Sequence, residues 1–309
     1  MDGITGLESQ PRTRALIDAV LAVWPEHRAY LTKSFRARSA STVEATERTA
    51  KLLGRVQDDN LKTLSKAYRW VCDMLMAEEL HFRRNGSYRC STFAEVNEAV
   101  YQGSDMRTYV QGLLVTQVLW AQHARSMDFY LHKFLPSLPD QYRHLEVGPG
   151  HGILIYYAAF AERCASAAGR DISPVSVDVT RRCVRELGIE TPVALEVRDV
   201  MEPPSDGERF DSIVISEVLE HLEDPRGALD NLRGLLTERG RLYVNVPVNA
   251  PAVDHIYLLR SPEEAIALVE SAGFVIEETL FAPPAGYTLA RARKLEASIS
   301  VVISARRAG

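Results

Sequence analysis

Cysteine is scarce in this 309-residue sequence: Cys72, Cys90, Cys164 and Cys183 are the only four, and none forms a Cys-x-x-Cys pair. That excludes a disulfide framework and a thiolate zinc site, and it fits a reducing, cytoplasmic compartment. Long apolar runs are missing too. Charge runs through Met1–Pro25, so neither a signal peptide nor a membrane span is expected. Nor is there an excess of one sign of charge. The net charge of −5, with 25% charged and 46% hydrophobic residues, suits a globular chain with no nucleic-acid or membrane-surface partner. The short basic cluster Lys33, Arg36 and Arg38 reads as a solvated helix face. Internal repeats and low-complexity tracts are absent, and residues before about 135 contain no period-two alternation.

What that first part does contain is helical periodicity. Ser41-x-x-Glu44 reads as a capping box opening a helix. Leu61, Leu64, Tyr68, Val71 and Leu75 recur at steps of three and four and form one apolar stripe. After a turn near Asn85-Gly86, a second long pattern runs from Tyr109 through Leu113, Leu114, Gln117, Trp120, Ala124, Met127 and Leu131 to Phe134. Pro136 to Asp140 ends it. The division expected is a helical segment over 1–135, a linker over 136–143 and a second domain over 144–309.

From His144 the texture becomes short β-rich runs alternating with helices. The runs are His144–Val147, Ala165–Ile172, Val193–Val197, Phe210–Ile215, Arg241–Val246, Phe274–Leu280 and Ser298–Ser304. Helices over Pro174–Leu187 and Pro225–Leu236 are among those separating the first five. This alternation predicts an α/β fold, a Rossmann-like seven-stranded sheet that is mostly parallel and covered on both faces. The last two runs leave no room for a crossover helix, so one antiparallel strand is expected. The all-α segment precedes this sheet.

The most informative stretch is His144-Leu-Glu146-Val-Gly148-Pro-Gly150-His151-Gly152, a strand running into a turn with glycine at alternate positions. Such a turn lets the backbone approach a flat ligand closely, and Glu146 is an acceptor for an amine or hydroxyl. The dinucleotide fingerprint Gly-x-Gly-x-x-Gly/Ala fails, because counting from Gly148 its last place is Ile153. The spacing Glu-x-Gly-x-Gly-x-Gly instead resembles motif I of the class I S-adenosylmethionine (SAM)-dependent methyltransferases. Further matches follow in the family's order over residues 144 to about 305. Gly169-Arg-Asp171-Ile172 ends the second strand with an acid that can accept the ribose hydroxyls. Arg198-Asp199-Val200 follows the third strand, where the family holds the adenine. Phe210 to Leu222, with Ser216 and Glu217 at the strand end, resembles motif IV and its loop.

The resemblance implies SAM as cofactor, held by Glu146, Gly148, Gly150, Gly152, Asp171, Ile172, Asp199, Val200, Ser216 and Glu217. It implies methyl transfer to a small molecule of secondary metabolism. Methyl transfer is an in-line displacement at an activated carbon, so positioning and desolvation dominate. Where the acceptor must lose a proton, the candidate catalytic residues are His255, in the loop after the fifth strand, and His221 behind the pocket. His151 reads as a neighbour of the SAM carboxylate. The Asn/Asp-Pro-Pro-Tyr amine clamp is absent, since Ile215-Ser216-Glu217-Val218 stands in its place. No metal site is expected, because His221, Glu217 and Glu220 share one short segment with no distant third ligand group. Tyr109, Trp120, His123, Met127, Phe129 and Tyr130 read either as core or as a lid whose aromatic faces attract a sulfonium, with Tyr156 and Tyr157 adding to the same wall. Two alternatives stay open. One is a SAM-cyclising enzyme similar to the azetidine-2-carboxylate synthases, which releases methylthioadenosine. The other is a non-catalytic SAM-binding protein. A homodimer through the helical segment is also left open.

Overall fold

A computed structural model of the chain describes residues 4, 7–36, 38–56, 60–101, 105–204 and 207–308. Part of the N-terminal stretch considered for a leader therefore lies outside the described residues. Among those described, no helix is long and apolar enough to cross a membrane.

The helical segment comprises α1 (Pro11–Val23), α2 (Arg28–Phe35), α3 (Ala40–Val56), α4 (Leu61–Asn85), α5 (Phe93–Val96), α6 (Met106–Leu119) and α7 (Ala121–Phe129). In α4 the predicted stripe buries Leu64, Tyr68 and Val71. Asn60 caps its start by accepting the Thr63 N–H at 3.3 Å. Gly86, at φ +70°, ends it by donating its N–H to Phe82 O.

Three local expectations need correction. Helix α3 is capped by Ser39, whose hydroxyl accepts the Thr42 N–H at 3.1 Å, and Ser41 lies inside the first turn bonded to Asp128. A Thr–Glu capping box does occur, at Thr92 and Glu95 of α5. The long pattern from Tyr109 to Phe134 is not one helix. Trp120 is extended (φ −88°, ψ 132°) between α6 and α7, and its indole N–H donates to the Tyr68 hydroxyl at 3.1 Å. Finally, Arg38 is no solvated side chain. Its guanidinium sits 3.7 Å from the Phe35 ring centre and donates to Thr46 Oγ1 and to the Ser34 and Leu119 carbonyls.

A seven-stranded sheet follows: β1 (Tyr142–Val147), β2 (Cys164–Asp171), β3 (Val193–Val197), β4 (Phe210–Ser216), β5 (Leu236–Val248), β6 (Phe274–Ala282) and β7 (Ile299–Arg307). Its order is β3-β2-β1-β4-β5-β7-β6. Strands β1 to β5 run parallel, and β7 is antiparallel to both β5 and β6. The expected class holds. The bounds shift: β5 extends well beyond 241–246, and the stretch expected as a linker starts in a helical turn over Leu135–Ser137 and ends inside β1.

Helices α8 (Ile153–Phe160), α9 (Pro174–Glu186), α10 (Pro225–Leu235), α11 (Pro262–Ser271) and α12 (Leu289–Lys294) complete the order. Proline at the first turn and a capping side chain (Ser173, Asp224, Ser261) start α9, α10 and α11. The helical segment shares an apolar core with the sheet. Tyr243 of β5 packs against Phe129, Tyr130 and Phe134, and its hydroxyl donates to Ser126 O at 3.1 Å. That shared core fixes α6 over one end of the strands.

Candidate functional site

Chain order turns back between β1 and β4, so the connections on either side diverge and leave a crevice at the strands' carboxyl ends. A cavity of ≈ 380 Å³ occupies it. The glycine turn forms its floor. Gly148, Gly150 and Gly152 lie at φ +69°, +49° and +80°, values that cost any other residue about 1–2 kcal/mol. A Cβ on Gly148 would also meet Val218 Cγ2 at 2.3 Å.

Most of the expected residues gather there. Gly148, Gly150, Asp171, Ile172, Asp199, Val200, Glu217 and His221 line the cavity. Asp171 accepts the N–H groups of Ser173 at 2.9 Å and Gly150 at 3.4 Å, and burial raises its pKa to about 6. Asp199 accepts the Met201 N–H at 2.9 Å. Glu217 occupies the left-handed region at φ +55°, held by its N–H on Asn245 O and by the Asn245 amide on Oε1 at 2.8 Å. Strain of this kind collects at ligand sites, and burial pushes the Glu217 carboxyl up to about 8.

Glu146 lies just under the turn, 2% exposed and outside the cavity lining. The Ile155 N–H reaches its carboxylate, yet Oε2 is buried without a partner. Burial, with the Asp171 charge nearby, raises its pKa to about 8.

Other expected residues stand elsewhere. Gly152 is outside the cavity lining; a Cβ there would press on Cys183 and Thr180 of α9, so this glycine permits helix packing. Ser216 accepts the Asn245 amide at 3.2 Å and does not line the cavity. His151 accepts the Ile153 N–H at 3.2 Å. Tyr156 and Tyr157 do not reach the cavity. They belong to the core, where Tyr157 stands 3.3 Å from Thr49 Oγ1. Met127, Phe129 and Tyr130 are core as well, whereas Tyr109 faces the cavity.

His255 is buried behind His221 with ring centres 4.9 Å apart, and Tyr88 packs edge-on against it. Burial lowers its pKa to about 4. Glu220, fully buried, shares this corner, and its pKa is raised well above the ordinary carboxylate range by burial and by the Glu217 charge.

Periodicity alone did not mark the wall supplied by the helical segment. Phe93, Met106, Val110 and Leu113 close the cavity opposite the strands. Two bonds hold that wall in place: the Phe93 N–H donates to Glu223 Oε1 at 2.7 Å, and the Tyr109 hydroxyl to Asp254 Oδ1 at 2.9 Å. Asp254 is itself a lining residue; its place beside His255 in the sequence was the available signal. Arg170 also lines the cavity and pairs with Glu196 and Glu208.

Known proteins resemble this chain in the same region. A family described as "Methyltransferase domain" matches residues 119–279, just over half of the chain. The ubiquinone biosynthesis O-methyltransferase of Coxiella burnetii (strain Dugway 5J108-111) is 27% identical over 125 residues, 40% of this chain and 51% of that protein. The protein of the same name from Xylella fastidiosa (strain 9a5c) is 34% identical over 105 residues, 33% of this chain and 41% of that protein. The chain thus spans about half the length, or less, of the curated relatives it matches. Among solved structures, the [4+2]-cyclase SpnF aligns with a TM-score of 0.47 at 19% identity, covering 59% of this chain and 82% of its own. An S-adenosylmethionine-dependent methyltransferase from Mesorhizobium loti aligns at 0.44 and 18%, covering 58% and 98%.

Proposed function

This chain belongs to the class I SAM-dependent methyltransferase family, and from that premise we propose that it methylates a small-molecule acceptor of secondary metabolism in the cytoplasm. One observation carries the proposal. A single cavity joins the glycine turn and the acids at the strand ends to an apolar wall from the helical segment and a histidine corner.

The residues fit SAM. Glu146 Oε2 is a buried acceptor lacking a donor, as an amine or hydroxyl of a bound ligand requires. Gly148 and Gly150 leave the turn open where a side chain would intrude. Asp171 would take the ribose hydroxyls, and Asp199 with Val200 and Ile172 the adenine. Glu217 and Ser216 form the strand end beside them. When bound, SAM supplies a methyl group already activated on a sulfonium.

The chain then has three tasks. Phe93, Met106, Val110 and Leu113 exclude water, which strengthens every charge interaction inside. Tyr109 and Asp254 hold that wall against the histidine corner. His221, with His255 behind it, acts on the acceptor side. A concave pocket of this size suits a small acceptor rather than a nucleic acid. The four unpaired cysteines support the cytoplasmic assignment.

The deciding experiment is incubation of the purified protein with SAM and no acceptor, followed by mass spectrometry of the nucleosides. Intact, bound SAM is expected. Methylthioadenosine above the spontaneous background would overturn methyl transfer in favour of cyclisation of SAM itself.

A further inference from the structure

The corner behind His221 contains an arrangement that methyl transfer alone does not require. Ligating atoms of Glu220, His221 and His255 all lie within 4.8 Å of one another. Glu220 and His221 belong to the short helical turn Leu219–His221 after β4, and His255 to the loop after β5. Two backbone bonds clamp the segments together: the Ile256 and Tyr257 N–H groups both donate to Glu220 O, at 2.8 and 2.9 Å.

The hydrogen bonds fix the state of both rings. His221 Nδ1 lies 2.8 Å from Asp254 O, and His255 Nδ1 lies 2.5 Å from Ala250 O. A carbonyl oxygen only accepts, so each Nδ1 carries a proton, and in a neutral imidazole of that tautomer the lone pair is at Nε2. Those two Nε2 atoms face the same oxygen, Glu220 Oε1, at 3.8 and 3.9 Å. That is too long for a hydrogen bond. Both Glu220 oxygens are buried and have no hydrogen-bond partner. The two Nε2 atoms and the Glu220 carboxyl therefore converge with no hydrogen bond among them.

We propose that Glu220, His221 and His255 bind a divalent transition-metal ion. Two imidazoles and one carboxylate form a ligand set for zinc, iron(II), manganese or cobalt, and three protein ligands leave positions open. Magnesium and calcium, which take oxygen ligands, fit poorly. The Nδ1–carbonyl bonds are the outer supports that orient histidine ligands. Ligand bonds of about 2.0–2.2 Å in a tetrahedral site set ligand atoms roughly 3.4 Å apart, so each Nε2 must approach Glu220 Oε1 by about half an ångström from 3.8 and 3.9 Å. His221 and Asp254 line the cavity, so the corner adjoins it, with Glu220 and His255 buried behind. Metal binding at this corner does not rest on the methyl-transfer reading.

The test uses the full chain, stripped with a chelator, desalted and titrated with Co2+ while visible absorbance is recorded. One equivalent is expected, with the intense bands of a low-symmetry nitrogen–oxygen site. Glu220→Gln, which keeps the shape of the side chain, and His255→Ala should each weaken binding at least about tenfold. Absence of stoichiometric uptake by the unmodified chain, or uptake unchanged in both variants, would overturn the site. The absorbance of the unmodified chain decides even if a variant misfolds. Equilibrium dialysis with SAM runs in parallel. Cobalt bound without SAM binding would sink the methyl-transfer reading and leave the metal site standing, and SAM bound without cobalt would do the reverse.

Discussion

Replacing Glu146 with Gln should make the unliganded protein more stable and its SAM complex weaker. Burial and the Asp171 charge push the Glu146 carboxyl from 4.5 up to about 8. Cys183, Tyr130 and Tyr243 also lie near enough to feel its charge, and none of them offers a positive one. Between pH 4.5 and 8 the folded chain thus holds a proton that the unfolded chain has released. Stability therefore falls as pH rises through that window, and the loss is complete above the folded value. The whole shift corresponds to about 5 kcal/mol as a ceiling. Relaxation and water admitted from the cavity should reduce the measured difference to about 1–3 kcal/mol. Glutamine keeps the shape and carries no charge. Urea melts of both proteins at about pH 5 and about pH 9 should show nearly equal stability at the lower pH and a more stable variant at the higher. Comparing the two also cancels the buried histidines, whose lowered pKa values act in the opposite sense. SAM affinity should move the other way, by about 1.5–3 kcal/mol, because the ligand loses a charged acceptor. A stability difference that did not change with pH would refute this account of Glu146.

Four further substitutions separate binding from folding. Asp171→Ala should weaken SAM binding by about 1.5–3 kcal/mol, and unchanged affinity by equilibrium dialysis would remove Asp171 from the pocket. Gly148→Ala combines a positive φ with a 2.3 Å approach to Val218 Cγ2, so thermal melts should show a loss of about 1–3 kcal/mol. Adding Val218→Ala should restore the packing part of that loss and leave the backbone part. His144, fully buried, bonds Ser212 Oγ at 3.0 Å through Nδ1, while its Nε2 has no partner. Ser212→Ala leaves both ring nitrogens unpaired, and calorimetry should register about 1–3 kcal/mol of lost stability.

What could be read from the sequence was local. The glycine turn announces itself because positive φ demands glycine, and Asp171 stands where a strand ends. The alternation of strands and helices predicted the sheet, down to the reversed strand. What escaped depends on contacts distant in sequence. Nothing in the residues around Trp120 breaks a helix; it is extended because its indole reaches Tyr68, 52 positions earlier. Arg38 looked like one of three surface charges until Phe35 and Leu119 surrounded it. His255 and Glu220 meet only because two backbone N–H groups of one loop land on a carbonyl of another. Gly152 fits a ligand motif and a packing requirement equally well, and spacing alone cannot choose between them.

Strand β7 has a consequence for how the chain is made. It lies between β5 and β6, and β6 has no other neighbour in the sheet. During synthesis, β1 to β5 can pair as they emerge, but β5 keeps an open edge until residues 299–307 arrive more than fifty positions later. Residues 274–282 wait through part of the same interval without a partner. An uncapped apolar edge of this kind recruits other chains. Slow elongation over this stretch should therefore favour aggregation of the nascent chain, and release of β7 from the ribosome should end that exposure on both sides at once.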